Sequence, residues 1–307
     1  MSTIAMPCGE KIYMYGMVVL STIHRLVGNF PEIDTYGEIA ESHHLPGGEA
    51  GNSATVLKKL GYDIRLDGPY LGRRTKEAVL SFYNSIQVDC SGMEYVPEFD
   101  GVEDLVIVAE GSRTVFGRFG NYFSRGRLWS RPDEAAIASS KMVGLDPFFF
   151  EESEEVARLC VKHAVPYVTI DCPADSYLCR NAAVVVISNE HIQNHHKGED
   201  LDVLHSKYTA GAKGLIIFTF GGHDIMYGRK GEPIRHLQPY EVKILSTLGA
   251  GDTFRAGIMH GLLSGSGDTH TVQFGAAMAA SVCTRFPVAL TPPSLEEIET
   301  LIASRPS

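Results

Sequence analysis

No apolar run in the 307-residue sequence approaches the ~20 residues a membrane-crossing helix needs, so no membrane span is expected. The start, MSTIAMPCGEK, lacks a basic segment followed by an apolar one, and no secretory leader is expected. The six cysteines, Cys8, Cys90, Cys160, Cys172, Cys179 and Cys283, include no Cys-x-x-Cys pair and show no regular spacing. Free thiols in a reducing compartment account for them, which points to a cytoplasmic protein. Positive charge is in deficit: 27 Lys and Arg face 37 Asp and Glu, for a formal net charge of −10. That balance argues against nucleic acid as the main partner, though it leaves room for a locally positive site that takes an anionic substrate. No Gly-x-x-x-x-Gly-Lys-Ser/Thr stretch exists, which excludes a P-loop. His191, His195 and His196 lack a cysteine or well-spaced carboxylate to complete a metal site, and a solvated helix face accounts for them. No protein metal-ligand set is read from the sequence.

What is present is a large, regular α/β pattern without repeats or long linkers. Residues 11–20 read as a buried strand, and Gly47-Gly48 opens a helix carried by Ala54, Val56, Leu57 and Leu60 and stopped at Gly61. A strand near 64–70 leads into a helix over about 73–86. From residue 140 strands and helical segments alternate: KMVGLD before a helix at 151–164, PYVTID before a short helix at 175–180, AAVVVIS before helical residues 190–211, then GLIIFTF. Helices near 250–265, 270–284 and 294–304 close the chain. Such alternation implies a parallel sheet with right-handed crossovers. Two β-rich tracts, 22–46 and 92–120, break the alternation and are predicted to form a separate small sheet inserted in one α/β domain spanning 1–307.

The densest chemical signal is Ser246-Thr247-Leu248-Gly249-Ala250-Gly251-Asp252-Thr253-Phe254. Two glycines and a carboxylate stand at the mouth of an apolar helix, where backbone N–H groups favour negative charge. Gly249 and Gly251 allow close approach of a phosphate, and Asp252 in the first turn is placed to accept a proton. The helix dipole is expected to favour its ionised form. The same residues also describe an ordinary helix entry with a capping Asp. A dinucleotide loop fits less well, because Phe254 stands where the third glycine belongs. Gly47-Gly48-Glu49-Ala50-Gly51-Asn52 is a second glycine-led helix start, with Glu49 and Asn52 able to hydrogen-bond hydroxyls, or simply a tight turn. Thr219-Phe220-Gly221-Gly222 is a glycine turn after a buried strand and, by itself, reads as a hairpin. Cys172, after a strand end, is placed at the border of the same region. His43-His44 reads as a surface turn just before Gly47.

In this order, the motifs resemble the ribokinase-like (PfkB) carbohydrate kinases over nearly the full length. The matching parts are Gly16-Met17-Val18-Val19-Leu20, Gly47-Gly48-x-x-x-Asn52, Thr219-Phe220-Gly221 and Thr247-Leu248-Gly249-Ala250-Gly251-Asp252-Thr253. The pieces GMVVL, GSRTV (Gly111 to Val115) and TLGAGDTF are similar to the ketohexokinase branch. The resemblance implies a three-layer α/β/α, doubly wound, mostly parallel sheet with a β-sheet lid over a sugar site. It implies transfer of the γ-phosphate of ATP, with Mg²⁺, to a hydroxyl of a sugar or sugar derivative. It makes Asp252 the base and the amides of Gly249, Ala250 and Gly251 the anion hole. It puts Gly47, Gly48 and Asn52 at the sugar, Arg113 on the lid against phosphate or substrate, and Thr219, Gly221 and Gly222 near the nucleotide. Pairing of lids across a homodimer is implied as well. Four positions depart from the family pattern. Ser21 replaces the Asp that grips sugar hydroxyls, for which Glu49 is a candidate substitute. In Asn189-x-x-Ile192, a glutamate linked to Mg²⁺ handling is displaced. Ser246 replaces another Asp, and an Asn near Phe274 is absent. The alternatives are a nucleoside kinase, with Phe116, Phe119, Tyr122 and Phe123 stacking on a base, and a regulatory paralogue that binds without efficient transfer.

Overall fold

The computed structural model describes residues 9–305; Cys8 and most of the segment read for a leader lie outside them. Twelve strands are found among the described residues: β1 (Lys11–Tyr15), β2 (Val19–Leu26), β3 (Ile39–Gly47), β4 (Asp63–Asp67), β5 (Glu103–Ala109), β6 (Ser112–Gly117), β7 (Met142–Leu145), β8 (Tyr167–Ile170), β9 (Val184–Ser188), β10 (Leu215–Phe220), β11 (His223–Gly228) and β12 (Arg235–Leu237). Eight form one sheet in the order β12-β11-β10-β9-β8-β7-β1-β4, and β3-β2-β5-β6 form a second. From β10 to β4 every pairing in the large sheet is parallel, while β11 and β12 extend it as antiparallel strands.

Parallel strands need both faces covered, so their residues are apolar on both sides. Ile12, Met14, Val184, Val186, Leu215 and Ile217 face a core shared with Val56, Leu57, Ile258 and Phe274. Tyr13, Tyr15, Val185, Ile187, Ile216 and Phe218 face the other core with Val156, Leu204 and Tyr208. The helices Glu49–Lys59, Ala250–Leu263 and Asp268–Cys283 therefore lie on one face, and Phe150–Lys162 and Leu201–Gly211 on the other. This is the expected three-layer α/β/α arrangement with a second, smaller sheet.

Several expected elements are divided. Residues 11–20 are two strands in two sheets, with the chain leaving the large sheet at Gly16. A Cβ at Gly16 would stand 2.0 Å from Asp146 Oδ2, so only glycine lets the chain turn there. The helical tract 190–211 splits into Asn189–His195 and Leu201–Gly211 around Gly198, whose φ is 83°. In tract 92–120, β strands begin only at Glu103, and Phe119–Phe123 is a short helix.

The small sheet leans on the large one through a third apolar cluster. Ile23, Val106 and Val108 pack with Leu248 and Phe286. Strand pairing sets Ser21 and Asp104, Ile23 and Val106, and Arg25 and Val108 side by side, so these share the inner face of the small sheet. Arg113 pairs with Val108 and belongs to that face too. The tip of the β5–β6 hairpin is stitched to the loop before helix Ala250–Leu263: Gly111 bridges Ser246, and Thr247 N–H donates to Gly111 O at 2.9 Å.

Candidate active site

The carboxyl ends of β1, β7, β8, β9 and β10 lie at one edge of the sheet, where open α/β folds bind ligands. Helix Ala250–Leu263 begins at that edge. Its cap residue Gly249 has φ 75° and ψ 6°, a left-handed conformation, and a Cβ there would meet Val288 Cγ1 at 2.7 Å. Gly251 is exposed, with open space where a Cβ would stand. The first intrahelical bond runs from Thr253 N–H to Gly249 O at 2.9 Å. The amides of the first turn have no intrahelical acceptor. That of Ala250 makes a long bond, 3.3 Å, back to Thr247 O, so it is partly engaged. Ser246 is buried, and its hydroxyl accepts from Leu248 N–H at 3.1 Å, holding the loop that leads in.

Asp252 is half-buried in the first turn. Its Oδ2 accepts from Asn52 Nδ2 at 2.8 Å, and its backbone oxygen accepts from Ser53 Oγ at 3.0 Å. Asn52 and Ser53 are presented by helix Glu49–Lys59, whose cap Gly48 has φ 85° and ψ 162°. A Cβ on Gly48 would stand 2.6 Å from Met17 O, so this helix start is restricted to glycine. The two glycine-led helix mouths, 200 residues apart in sequence, thus meet through one hydrogen bond.

Beneath them lies an arginine the sequence reading missed. Arg255 is wholly buried: its guanidinium is paired with the Asp146 carboxylate, donates from Nε to Ser53 Oγ at 3.1 Å, and donates to Glu49 O at 2.6 Å. Asp146, at the end of β7, also accepts from Met17 N–H at 2.8 Å. A charged residue one helical turn after Asp252 in an otherwise apolar helix was the signal available for it.

Three carboxylates, Glu49, Asp146 and Asp252, therefore surround a single buried guanidinium. Burial is the main force on Asp252 and pushes it up to about 6; Arg255, the Asn52 bond and Arg113 pull the other way. Desolvation thus opposes the helix dipole, which was expected to favour the ionised form. Glu49 is driven higher, to about 8, by burial and then by Asp146 and Asp252. Burial thus favours its neutral form, which can donate a hydrogen bond as well as accept one.

The other expected residues divide into two groups. Gly47 and Ser21 adjoin Asn52: a Cβ on Gly47 would lie 3.4 Å from Ser21 Oγ and 3.6 Å from Asn52 Oδ1. Arg113 is exposed on the inner lid face within electrostatic range of Asp252. Asn189, Thr219, Gly221 and Gly222 lie further along the same edge, with no hydrogen bond to the Asp252 group. Thr219 pairs with Ser188, and Gly221-Gly222 forms the exposed β10–β11 hairpin turn. Asn189 is exposed, and the side-chain cap of its helix is Ser188 instead. Ile192 points into the core, so no side chain at 192 reaches the site. Asp171, also missed, sits at the end of β8 and accepts from Ser188 N–H at 2.7 Å and Ser188 Oγ at 2.9 Å, with Glu190 nearby.

Three side readings are corrected. Cys172 is fully buried beside Cys179 and does not line the edge. His43 and His44 belong to β3 rather than a turn, and His43 stacks edge-on against Phe286. Phe116, Phe119, Tyr122 and Phe123 make no common platform: Phe116 pairs with Leu105 on the outer lid face, while Tyr122 packs on Trp129. A hollow lined by Cys160, Pro166, Asn181 and Lys213 lies at the amino ends of β8, β9 and β10, away from this edge.

A mostly parallel α/β sheet with a small sheet over its carboxyl edge, and a glycine-opened helix mouth holding a carboxylate there, define a small-molecule phosphotransferase. The chain belongs to the pfkB family of carbohydrate kinases, whose sequence profile matches residues 11–294. It is 26% identical over 298 residues to the ketohexokinase of Mus musculus, covering 89% of this chain and 96% of that protein. It is 25% identical over 246 residues to a fructosamine kinase of Bacillus subtilis, covering 78% and 84%. The fold superposes on Arabidopsis thaliana ribokinase complexed with ribose and ATP, with a TM-score of 0.77 at 15% identity, over 97% of this chain and all of that one.

Proposed function

We propose that this protein moves the γ-phosphate of ATP to a hydroxyl of a sugar or sugar derivative, with Asp252 as the base. The observation that carries this is the Asp252 carboxylate, held by Asn52 at 2.8 Å in the first turn of a helix whose entry is opened by Gly249 and Gly251. The acceptor hydroxyl binds between Gly47, Gly48, Asn52 and Asp252. Asp252 takes the hydroxyl proton as the oxygen attacks phosphorus, and the bond to ADP breaks in line. Amides at the helix mouth, chiefly those of Gly249 and Gly251, meet the charge on the moving phosphoryl group. Ala250 contributes less, since its amide is drawn toward Thr247. Arg113 is placed by the hairpin tether to approach that charge from above.

The adenine nucleotide lies along Ser188–Asn189, Thr219 and Gly221-Gly222. Among the described residues no three-ligand metal group is present. Mg²⁺ in such sites is held largely by phosphates and water, with one or two carboxylates. Glu190, exposed in a first helical turn beside Asp171, fits that need better than position 192. The ion's role is to neutralise phosphate charge.

The outer face of the small sheet carries the exposed pair Leu105 and Phe116, and we infer that two lids pair there in a homodimer. The test of the main reading is ADP release across a panel of sugars and nucleosides, with Asp252→Asn as control. Turnover on a sugar that disappears in the variant supports it; wild-type turnover on nucleosides alone, or undiminished turnover in Asp252→Asn, overturns it.

A further inference from the structure

On the inner face of the small sheet, Asp104 carries a carboxylate that is only partly satisfied by the protein. Its Oδ1 is buried and has no hydrogen-bond partner, which is costly for an acceptor of full charge. The residue as a whole keeps partial exposure. Burial raises its pKa, and the neighbouring Ser21 hydroxyl opposes that shift. Strand pairing places Asp104 beside Ser21, with Ile23, Val106 and Val108 continuing the same face onto Leu248. That face therefore looks down on the loop entering the catalytic helix.

A continuous path joins it to the reacting centre. Asp104 adjoins Ser21; Ser21 and Asn52 flank the bare Cα of Gly47; Asn52 holds Asp252. Because Gly47 has no side chain, the methyl-sized space beside Ser21 Oγ and Asn52 Oδ1 is left free. Opposite Asp104 on β6 is Gly117, and a Cβ there would meet the Phe119 ring at 2.3 Å, so an aromatic edge borders the far side. Asp104 and Asp252 stand at the two ends of this run, while Asp146 is buried on Arg255. Two carboxylates favour a ligand rich in hydroxyl donors over one that brings a second anionic group.

We propose that Asp104 binds a hydroxyl of the acceptor remote from the one phosphorylated, and that the acceptor is an unphosphorylated polyol rather than a sugar phosphate. This rests on the kinase reading above but names a residue and a substrate class that it does not. Asp104 is an acceptor-binding residue, not a participant in transfer.

The probes are D-fructose, D-ribose and fructose 6-phosphate, used with full-length wild-type protein and Asp104→Asn, which keeps shape and removes charge. For the preferred neutral sugar, KM in Asp104→Asn should rise roughly ten-fold or more, as for loss of one charge-assisted hydrogen bond. Turnover should stay within about three-fold and the KM for ATP should not move, because the bond is made equally in ground and transition states. Equal loss for sugar and ATP, an unchanged sugar KM, or preference for fructose 6-phosphate overturns the proposal. Should Asp104→Asn fold poorly, Asp104→Ser is read the same way. If wild-type protein turns over nothing, the kinase reading fails separately, and thermal shift decides this one. Stabilisation by a neutral sugar that is lost in the variant supports it; stabilisation kept in the variant, or produced by none of the neutral sugars, overturns it.

Discussion

At Asp252 the decisive quantity is the competition between burial, which favours the neutral acid, and the Asn52 and Arg255 contacts, which favour the anion. A proton acceptor must be ionised, so the acidic limb of kcat should fall as pH drops through about 6, above the ordinary carboxylate range. Asn52→Leu removes a contact that lowers this pKa and should move the limb to higher pH, measured by rate–pH profiles of both proteins. Asp252→Asn should lower turnover by about 10²–10⁴-fold with the melting temperature little changed. Near-normal turnover in a contamination-free preparation removes Asp252 from its role. The glycines, Asn52 and Asp252 are legible in sequence because they sit in two short glycine-led helix starts whose motifs resemble those of a known family. Arg255, Asp146 and Asp171 are not, because their meaning depends on partners more than 100 residues away or on which strand end faces the site.

Among the elements, the two helix mouths depend on local geometry and a buried ion pair. Gly48→Ala forces a side chain into a conformation reserved for glycine and against Met17 O, and should cost about 1–3 kcal/mol. Arg255→Met strands the Asp146 carboxylate in the interior and should cost about 3–5 kcal/mol. Both are read from the midpoint of urea unfolding, and a loss below about 1 kcal/mol for Arg255→Met would show that Asp146 does not depend on the arginine. Most strands and helices follow from apolar periodicity and glycine stops, which is why the alternation after residue 140 matches the sheet. Periodicity cannot reveal a strand that changes sheets. Residues 12–20 are almost wholly apolar, and the need for glycine at position 16, where a Cβ would meet Asp146, shows only once the fold is known. Nor could it reveal β11 and β12, which follow β10 as antiparallel strands and break the strand–helix alternation, with the short β12 at the sheet edge.

Across the whole molecule, the small sheet is both roof and prospective interface. Leu105→Glu with Phe116→Glu should convert a dimer to a monomer in sedimentation analysis, since both side chains stand exposed on its outer face. An unchanged sedimentation coefficient would place any dimer contact elsewhere. The inner face is fixed to the main body by Ile23, Val106, Val108, Leu248 and Phe286, and by the backbone bond from Thr247 to Gly111. That last stitch couples two segments of unrelated sequence, the hairpin tip at 110–112 and the strip 244–247 before helix Ala250–Leu263. Neither can drift alone: a bulkier residue at Gly111 would collide with Ile244 at 2.9 Å. Substitutions that retune specificity in the roof must travel with compensating changes in that strip, so an exchange of roofs between cousins will succeed only when both pieces are transplanted together.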